Sequence, residues 1–174
     1  MSDIFVISDT HFFHENILRF DGGRGEACGF SPSFSSVDEM NEYMIDRWNS
    51  VVKPGDKVYH LGDVAMGPRY RQELGSLMSR LNGSKRLIVG NHDEIDFLAN
   101  KGWFKKIMLW RNFKEYNIIL THLPLHEQSM AERWGGKVVN VHGHIHRKPA
   151  PSERHICVSV EQINYTPVHI EDLK

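Results

Sequence analysis

A chain of 174 residues, 40% hydrophobic and 25% charged, is long enough to bury one sizeable core and too apolar for extensive disorder. Its net charge of −1 and sequence pI of about 6.8 exclude a global electrostatic pull toward nucleic acid or an anionic membrane, leaving only a local basic patch open. A single domain over residues 1–174 is expected.

Cys28 and Cys157 are the only cysteines and form no CxxC pattern, which fits reduced thiols in a reducing compartment. Met1-Ser2-Asp3 runs straight into an apolar strand with no basic or hydrophobic leader, and no apolar run approaches about 18 residues. A soluble, cytoplasmic chain without membrane association is expected. Eleven histidines are many for this length, a compositional sign of metal or acid-base chemistry.

In chain order, Ile4-Phe5-Val6-Ile7 has the pattern of a strand buried on both faces. Ser8 to His11 then lie at its C-terminal end, where open α/β sheets place ligands. Phe12 to Phe20 reads as a short helix carrying His14, Glu15, Asn16 and Arg19. Residues 21–36, rich in Gly, Ser and Pro, form a loop long enough to be functional or mobile. Ser36 with Glu39 makes a capping box, and Val37, Met40, Met44 and Trp48 recur at helical spacing as core. After the Pro54-Gly55 turn, a second buried strand, Val58 to Leu61, ends at Gly62-Asp63. A helix opening near Pro68 presents Leu74, Leu77, Met78 and Leu81 and stops at Asn82-Gly83. The third strand, Leu87-Ile88-Val89, ends at Gly90-Asn91-His92-Asp93. A short helix over Glu94 to Asn100 and weaker strands near 106–109 and 117–120 follow, the last delivering Thr121-His122. A loop from Leu123 to Gly136 leads to the strand Val138 to Val141 and then to His142-Gly143-His144-Ile145-His146. A strand near His155 to Val160 is expected to close an α/β or mixed sandwich with polar groups at its strand ends.

Side chains of an extended segment repeat every two residues, so His142, His144 and His146 share one face. Alternating histidines also occur as a solvated edge, and it is their company that points to metal. Asp9, His11, Asp63, Asn91, His122, His144 and His146 all follow apolar strands. Seven oxygen and nitrogen donors at one edge could hold two divalent ions. The imidazoles suit manganese, iron, zinc, nickel or cobalt rather than calcium or magnesium alone, and the absence of cysteine ligands argues against a closed structural zinc site. A pair of ions about 3.5 to 4 Å apart needs a bridging carboxylate, for which Asp9 and Asp63 are the candidates. Such a centre is net positive and attracts an anionic phosphate ester; metal binding lowers the pKa of water from about 15.7 to about 7, making hydroxide available at neutral pH.

The ordered set Asp9-x-His11, Gly62-Asp63, Gly90-Asn91-His92-Asp93, His122 and Gly143-His144-x-His146 resembles the signature of calcineurin-like metallophosphoesterases. It spans residues 9 to 146, and five blocks in order are far more specific than any one of them. The resemblance implies a four-layer α/β/β/α sandwich with two packed mixed β-sheets and no large cap domain. It implies that Asp9, His11, Asp63 and His146 hold one metal, and that Asp63, Asn91, His122 and His144 hold the other, manganese standing first among the candidate ions. A metal-bridging hydroxide would attack the phosphate ester, with His92 as general acid and Asp93 orienting its imidazole. Gly62-Asp63-Val64-Ala65-Met66-Gly67 and His92-Asp93 depart from the blocks of the superfamily's protein phosphatases, which disfavours a phosphoprotein substrate. Asp9 to Ile17, with Trp48-Asn49, resembles a small bacterial and phage-type branch of predicted phosphoesterases.

His14, Asn16 and Arg19 are candidate substrate-binding residues, Arg19 offering a bidentate fork to phosphate; each reads equally as a solvated helix surface. His60 is expected to be a packed strand histidine and His142 a supporting one. Arg69, Arg147 and Lys148 could form a basic rim, and His126 and Trp134 could shape a pocket. The expected activity is metal-dependent hydrolysis of a phosphate ester, diester before monoester, with nucleotides or nucleic acid among candidate substrates and no obligatory protein partner. The alternative is a catalytically weak or inactive scaffold of the same fold acting in protein interactions.

Overall fold

The computed structural model describes residues 2–20, 22–130 and 137–173. Strands β1 (Ile4–Ile7), β2 (Lys57–His60), β3 (Ser84–Ile88) and β4 (Ile107–Met108) run parallel, each hydrogen-bonded to the next. A second sheet contains β5 (Arg111–Phe113), β6 (Ile118–Leu120), β7 (Val139–His142) and β8 (His155–Cys157), parallel except for the antiparallel β5 at its edge. Returning to the first sheet, β9 (Val168–His169) pairs antiparallel with the free side of β1. Both sheets are therefore mixed, as expected.

Alternation along the strands divides the core in two. Phe5, Ile7, Val58 and Leu87 face α1 (Val37–Val51), α2 (Tyr70–Arg80) and α3 (Ile95–Ala99), packing with Met44, Trp48, Leu74 and Leu98. Val6, Tyr59, Leu61 and Ile88 point the other way, against Phe113, Ile118, Leu120 and Val141 of the second sheet. Over the outer face of that sheet runs the 123–130 loop, where the Asn140 side chain accepts from the Leu125 amide at 2.7 Å and His155 donates to its carbonyl at 2.7 Å. Among the described residues this outer layer holds a single 3₁₀ turn, Glu127–Ser129, in place of an α-helix.

The expected helices α1 and α2 form where the apolar spacing puts them. Ser36 Oγ accepts from the Glu39 amide at 3.1 Å, while the Glu39 carboxylate reaches Ser35 rather than the Ser36 amide, so the capping box is half made. Trp48 closes the end of α1 by donating its indole N–H to the Asn82 carbonyl at 3.0 Å.

Two expectations are corrected. The helix expected over Phe12 to Phe20 is only a 3₁₀ turn, Glu15–Leu18. The strand near His155 to Val160 stops at Cys157, and the last strand of the chain is β9, in the first sheet; neither β5 nor β9 was anticipated. The 21–36 loop is anchored by Arg24, whose side chain is fully buried. Trp134 and Gly135-Gly136 lie outside the described residues. No helix among the described residues is long and apolar enough to cross a membrane.

Candidate metal centre

Every strand that ends in a candidate ligand delivers it from its C-terminal end: β1 to Asp9 and His11, β2 to Asp63, β3 to Asn91, β6 to His122, and β7 to His144 and His146. The turns needed are sharp. Asp9, His11, Asp63, His144 and His146 all have positive φ, between 46° and 70°, a region costly for residues with a Cβ and found where surrounding structure holds a functional loop in place. Gly62, at φ +97°, lies so close to the Gly90 backbone and His122 Nδ1 that a Cβ there would clash with both.

The donors gather into two groups, Asp9 with His11 and His146, and Asp63 with His122 and His144; within each the ligand atoms lie within 4.8 Å of one another. Asp9 is completely buried, and its Oδ2 accepts from the His144 amide and the Ser159 hydroxyl, both at 2.9 Å. Its Oδ1 has no hydrogen-bond partner and faces His11 Nε2 and His146 Nε2, each at 3.9 Å. Both ring nitrogens of buried His11 are likewise without a partner. Asp63 joins the groups: Oδ1 accepts from the His92 amide at 2.9 Å, while Oδ2 lies 3.6 Å from His11 Nε2 and 3.5 Å from His122 Nε2.

The second group is oriented from behind. His122 Nδ1 donates to the Leu61 carbonyl at 2.7 Å, which makes Nε2, 2.8 Å from Asn91 Oδ1, the nitrogen free to offer a lone pair to a metal. Asn91 Oδ1 also lies 2.9 Å from His144 Nδ1. Lone pairs converging in this way, with orphaned buried atoms in the first group, fit a cation at each group. Burial, reinforced by the positive Arg24 and neighbouring imidazoles, holds His11 well below the usual histidine pKa, and burial with His122 nearby lowers His144. Both therefore stay neutral and able to donate lone pairs near pH 7. Burial pushes Asp63 up, against the pull of His122, as expected of a carboxylate enclosed without its counter-charge.

Sequence reading missed two residues beneath the first group. Arg24 donates to Glu161 Oε1 at 2.8 Å, to the Thr10 carbonyl at 2.7 Å and to the Asp9 carbonyl, gripping the turn that presents Asp9 and His11. Glu161 Oε1 also accepts from His146 Nδ1 at 2.9 Å, directing Nε2 toward Asp9. Burial favours the neutral acid at Glu161, but Arg24 and His146 prevail and hold it at about 2. The same carboxylate outweighs the effect of burial at His146 and raises its pKa. An arginine in a glycine-rich loop and a glutamate in a C-terminal turn carried no local signal.

His92 is exposed and its ring centroid lies 5.8 Å from that of His11, in a cavity that His14 also lines. Asp93 does not orient the His92 imidazole as expected. Its two oxygens accept from the backbone amides of Asp63, Val64 and Gly90 at 3.0, 2.9 and 2.8 Å, so it fixes the loops carrying Asp63 and Asn91. Of the three candidate substrate contacts only His14 reaches this cavity. Arg19 lines a separate one with Glu26, Asp38 and Arg69, and Asn16 is solvent-exposed. Arg69 pairs with Asp38 and Glu73, away from the centre, whereas Arg147 and Lys148 do line the cavity. His60 is packed against Thr10, and His142 is buried, donating Nδ1–H to the Gly143 carbonyl at 2.8 Å.

The chain is 34% identical over 176 residues to an uncharacterized protein of Methanocaldococcus jannaschii, covering 98% of this chain and 89% of the relative. It is 28% identical to the gene 66 protein of Mycobacterium phage L5, covering 90% and 83%. The crystal structure of the protein of unknown function AQ665 from Aquifex aeolicus superposes with a TM-score of 0.75 at 25% identity, over 99% of this chain and 98% of that one. The calcineurin-like phosphoesterase model matches residues 2–172. With the paired ligand groups, that match shows that the chain belongs to the calcineurin-like phosphoesterase family, whose members are in general metal-dependent phosphoester hydrolases.

Proposed function

We propose that this chain hydrolyses phosphodiesters at a centre of two divalent transition-metal ions, manganese first and iron, nickel, zinc or cobalt as alternatives. The observation that carries the reading is Asp63 Oδ2, set 3.6 Å from His11 Nε2 and 3.5 Å from His122 Nε2, a carboxylate positioned to serve both ligand groups. Asp9, His11, Asp63 and His146 would hold one ion; Asp63, Asn91, His122 and His144 the other. Bound there, the ions supply Lewis-acid charge to the phosphate and an acidified water as nucleophile.

The residues of the chain do the rest. Two carboxylates against two divalent charges leave the pocket net positive, which draws in an anionic ester. His92, exposed beside His11 and not spent on a ligand group, supplies a proton to the departing oxygen. Asp93 keeps Asp63 and Asn91 in register through their loop amides. Cavities open on two sides of the centre, room for both arms of a diester; a monoester has one.

Hydrolysis of bis-p-nitrophenyl phosphate and p-nitrophenyl phosphate under added Mn²⁺ tests this. The expected result is metal-dependent turnover, faster on the diester, with kcat lowered about 10²- to 10⁴-fold in His92→Ala at unchanged metal content. Absence of metal-dependent turnover of either ester would refute the proposal.

A further inference from the structure

The two cavities flanking the centre each measure about 440 Å³, within the range of small-molecule sites, and they differ in the charged side chains on their walls. One is lined by His11, His14, His92 and His146, with Arg147, Lys148, Glu161 and the half-exposed Phe20 also on its wall. The other is lined by Val89, Leu109, Trp110, Ile119, Leu123 and Leu125, and has no charged side chain in its wall. It reaches the centre through Asn91 and His122. Leu109, Trp110 and Leu123 are 65%, 60% and 50% exposed. A single exposed leucine needs no explanation, but three large apolar side chains grouped at the mouth of a cavity that ends on ligand residues do.

Leu109 and Trp110 form the link by which the chain leaves β4 in one sheet for β5 in the other, so strands at both ends hold the shelf. An indole presented to solvent offers a flat face suited to stacking with another ring. Because Asn91 and His122 are part of this cavity's wall, a group filling it lies within reach of a phosphate held at the centre.

We infer that the shelf of Leu109, Trp110 and Leu123 binds a flat aromatic group of nucleobase kind, carried on one arm of the phosphoester. The other arm lies toward Arg147 and Lys148 and is polar or anionic. This rests on the phosphoesterase reading and adds the substrate class: an ester with one aromatic and one charged arm. Stacking on the ring supplies affinity without selecting one base over another.

Calorimetric binding to the Mn²⁺-loaded full chain tests the shelf independently of turnover. The probes are inorganic phosphate, ribose 5-phosphate and adenosine 5′-monophosphate. The wild type is expected to bind the adenosine monophosphate at least about fivefold more tightly than ribose 5-phosphate. Trp110→Ala removes that preference and leaves phosphate binding unchanged, while Trp110→Phe restores most of it. Equal affinity for the two sugar phosphates in the wild type, or an undiminished preference in Trp110→Ala, overturns the inference. So does octyl phosphate binding as tightly as the adenosine monophosphate, which assigns the shelf to an alkyl chain. A dimer that Trp110→Ala dissociates, with the adenosine preference intact, gives the shelf to a second copy and also overturns it. Failure of inorganic phosphate to bind at all removes the phosphoesterase reading, and the shelf assignment falls with it.

Discussion

A methyl group added at Gly143 would press on Ser8 Oγ and Asp9 Oδ2, and Asp9 Oδ2 already receives the His144 amide and the Ser159 hydroxyl. Relief requires moving either the buried carboxylate or the turn that carries His144 and His146. Gly143→Ala is therefore expected to lower metal content from two ions per chain toward one or none, measured by elemental analysis after reconstitution. Gly55→Ala, where a Cβ meets nothing within 4 Å, should leave it unchanged; equal occupancy in the two variants would contradict the packing argument. The motif glycines were visible in the sequence because their spacing to Asp63, Asn91 and His144 is local. Arg24 and Glu161 were not, because their worth lies in a contact made across 137 positions. Removing one partner of such a buried pair strands the other charge. Asp93 was visible but misread: its neighbour in sequence is His92, whereas its partners in space are the amides of Asp63, Val64 and Gly90.

Between elements, the ends of β1 and β2 are tied together by His60. Its Nε2–H donates to Thr10 Oγ1 at 2.9 Å, the Thr10 hydroxyl in turn donates a hydrogen bond to the Val64 carbonyl at 2.7 Å, and His60 Nδ1 accepts from the Gly62 amide at 3.2 Å. Complete burial, with His122 nearby, lowers the His60 pKa to about 3. An unfolded chain protonates this ring near pH 6.5, so its contribution to stability is intact above 6.5 and is lost as pH falls toward 3. The limiting slope is about 1.4 kcal/mol per pH unit. In metal-free protein, urea midpoints at pH 7, 6 and 5 should fall more steeply for wild type than for His60→Gln; parallel slopes would remove His60 from the acid response. Elements with a full period were legible: α1 and α2 carry their apolar stripes, and β1 to β3 are continuous apolar runs. At three residues β5 is too short to show alternation, and the two-residue β9 shorter still. Phe12 to Phe20 has helical composition, yet Phe12 and Phe13 are drawn into the core beside the ligand loop, leaving only residues 15–18 to turn.

At the scale of the molecule, the centre closes the seam between two sheets. Asp9, His11, Asp63 and Asn91 follow strands of the first sheet, while His122, His144 and His146 follow strands of the second. Their order along the chain was readable, because each follows an apolar run. The shelf at Leu109 and Trp110 was not, since it depends on where the crossover between sheets passes. Two enclosed carboxylates and five ligands at positive φ make the ion-free seam costly to hold. Ions that bind only the folded chain offset that cost by mass action, about 2.7 kcal/mol for free metal at a hundredfold excess over Kd. For a chain of this length each kcal/mol moves Tm by about 2 to 4 °C. Scanning calorimetry in EDTA and then in excess Mn²⁺ should show a rise of about 5 to 11 °C for each site filled, about 11 to 22 °C for both. Asp63→Asn should lose most of it, because the residue serving both ligand groups is then a weaker neutral donor. An Asp63→Asn chain showing the full rise would mean that the ions bind elsewhere than between the two sheets.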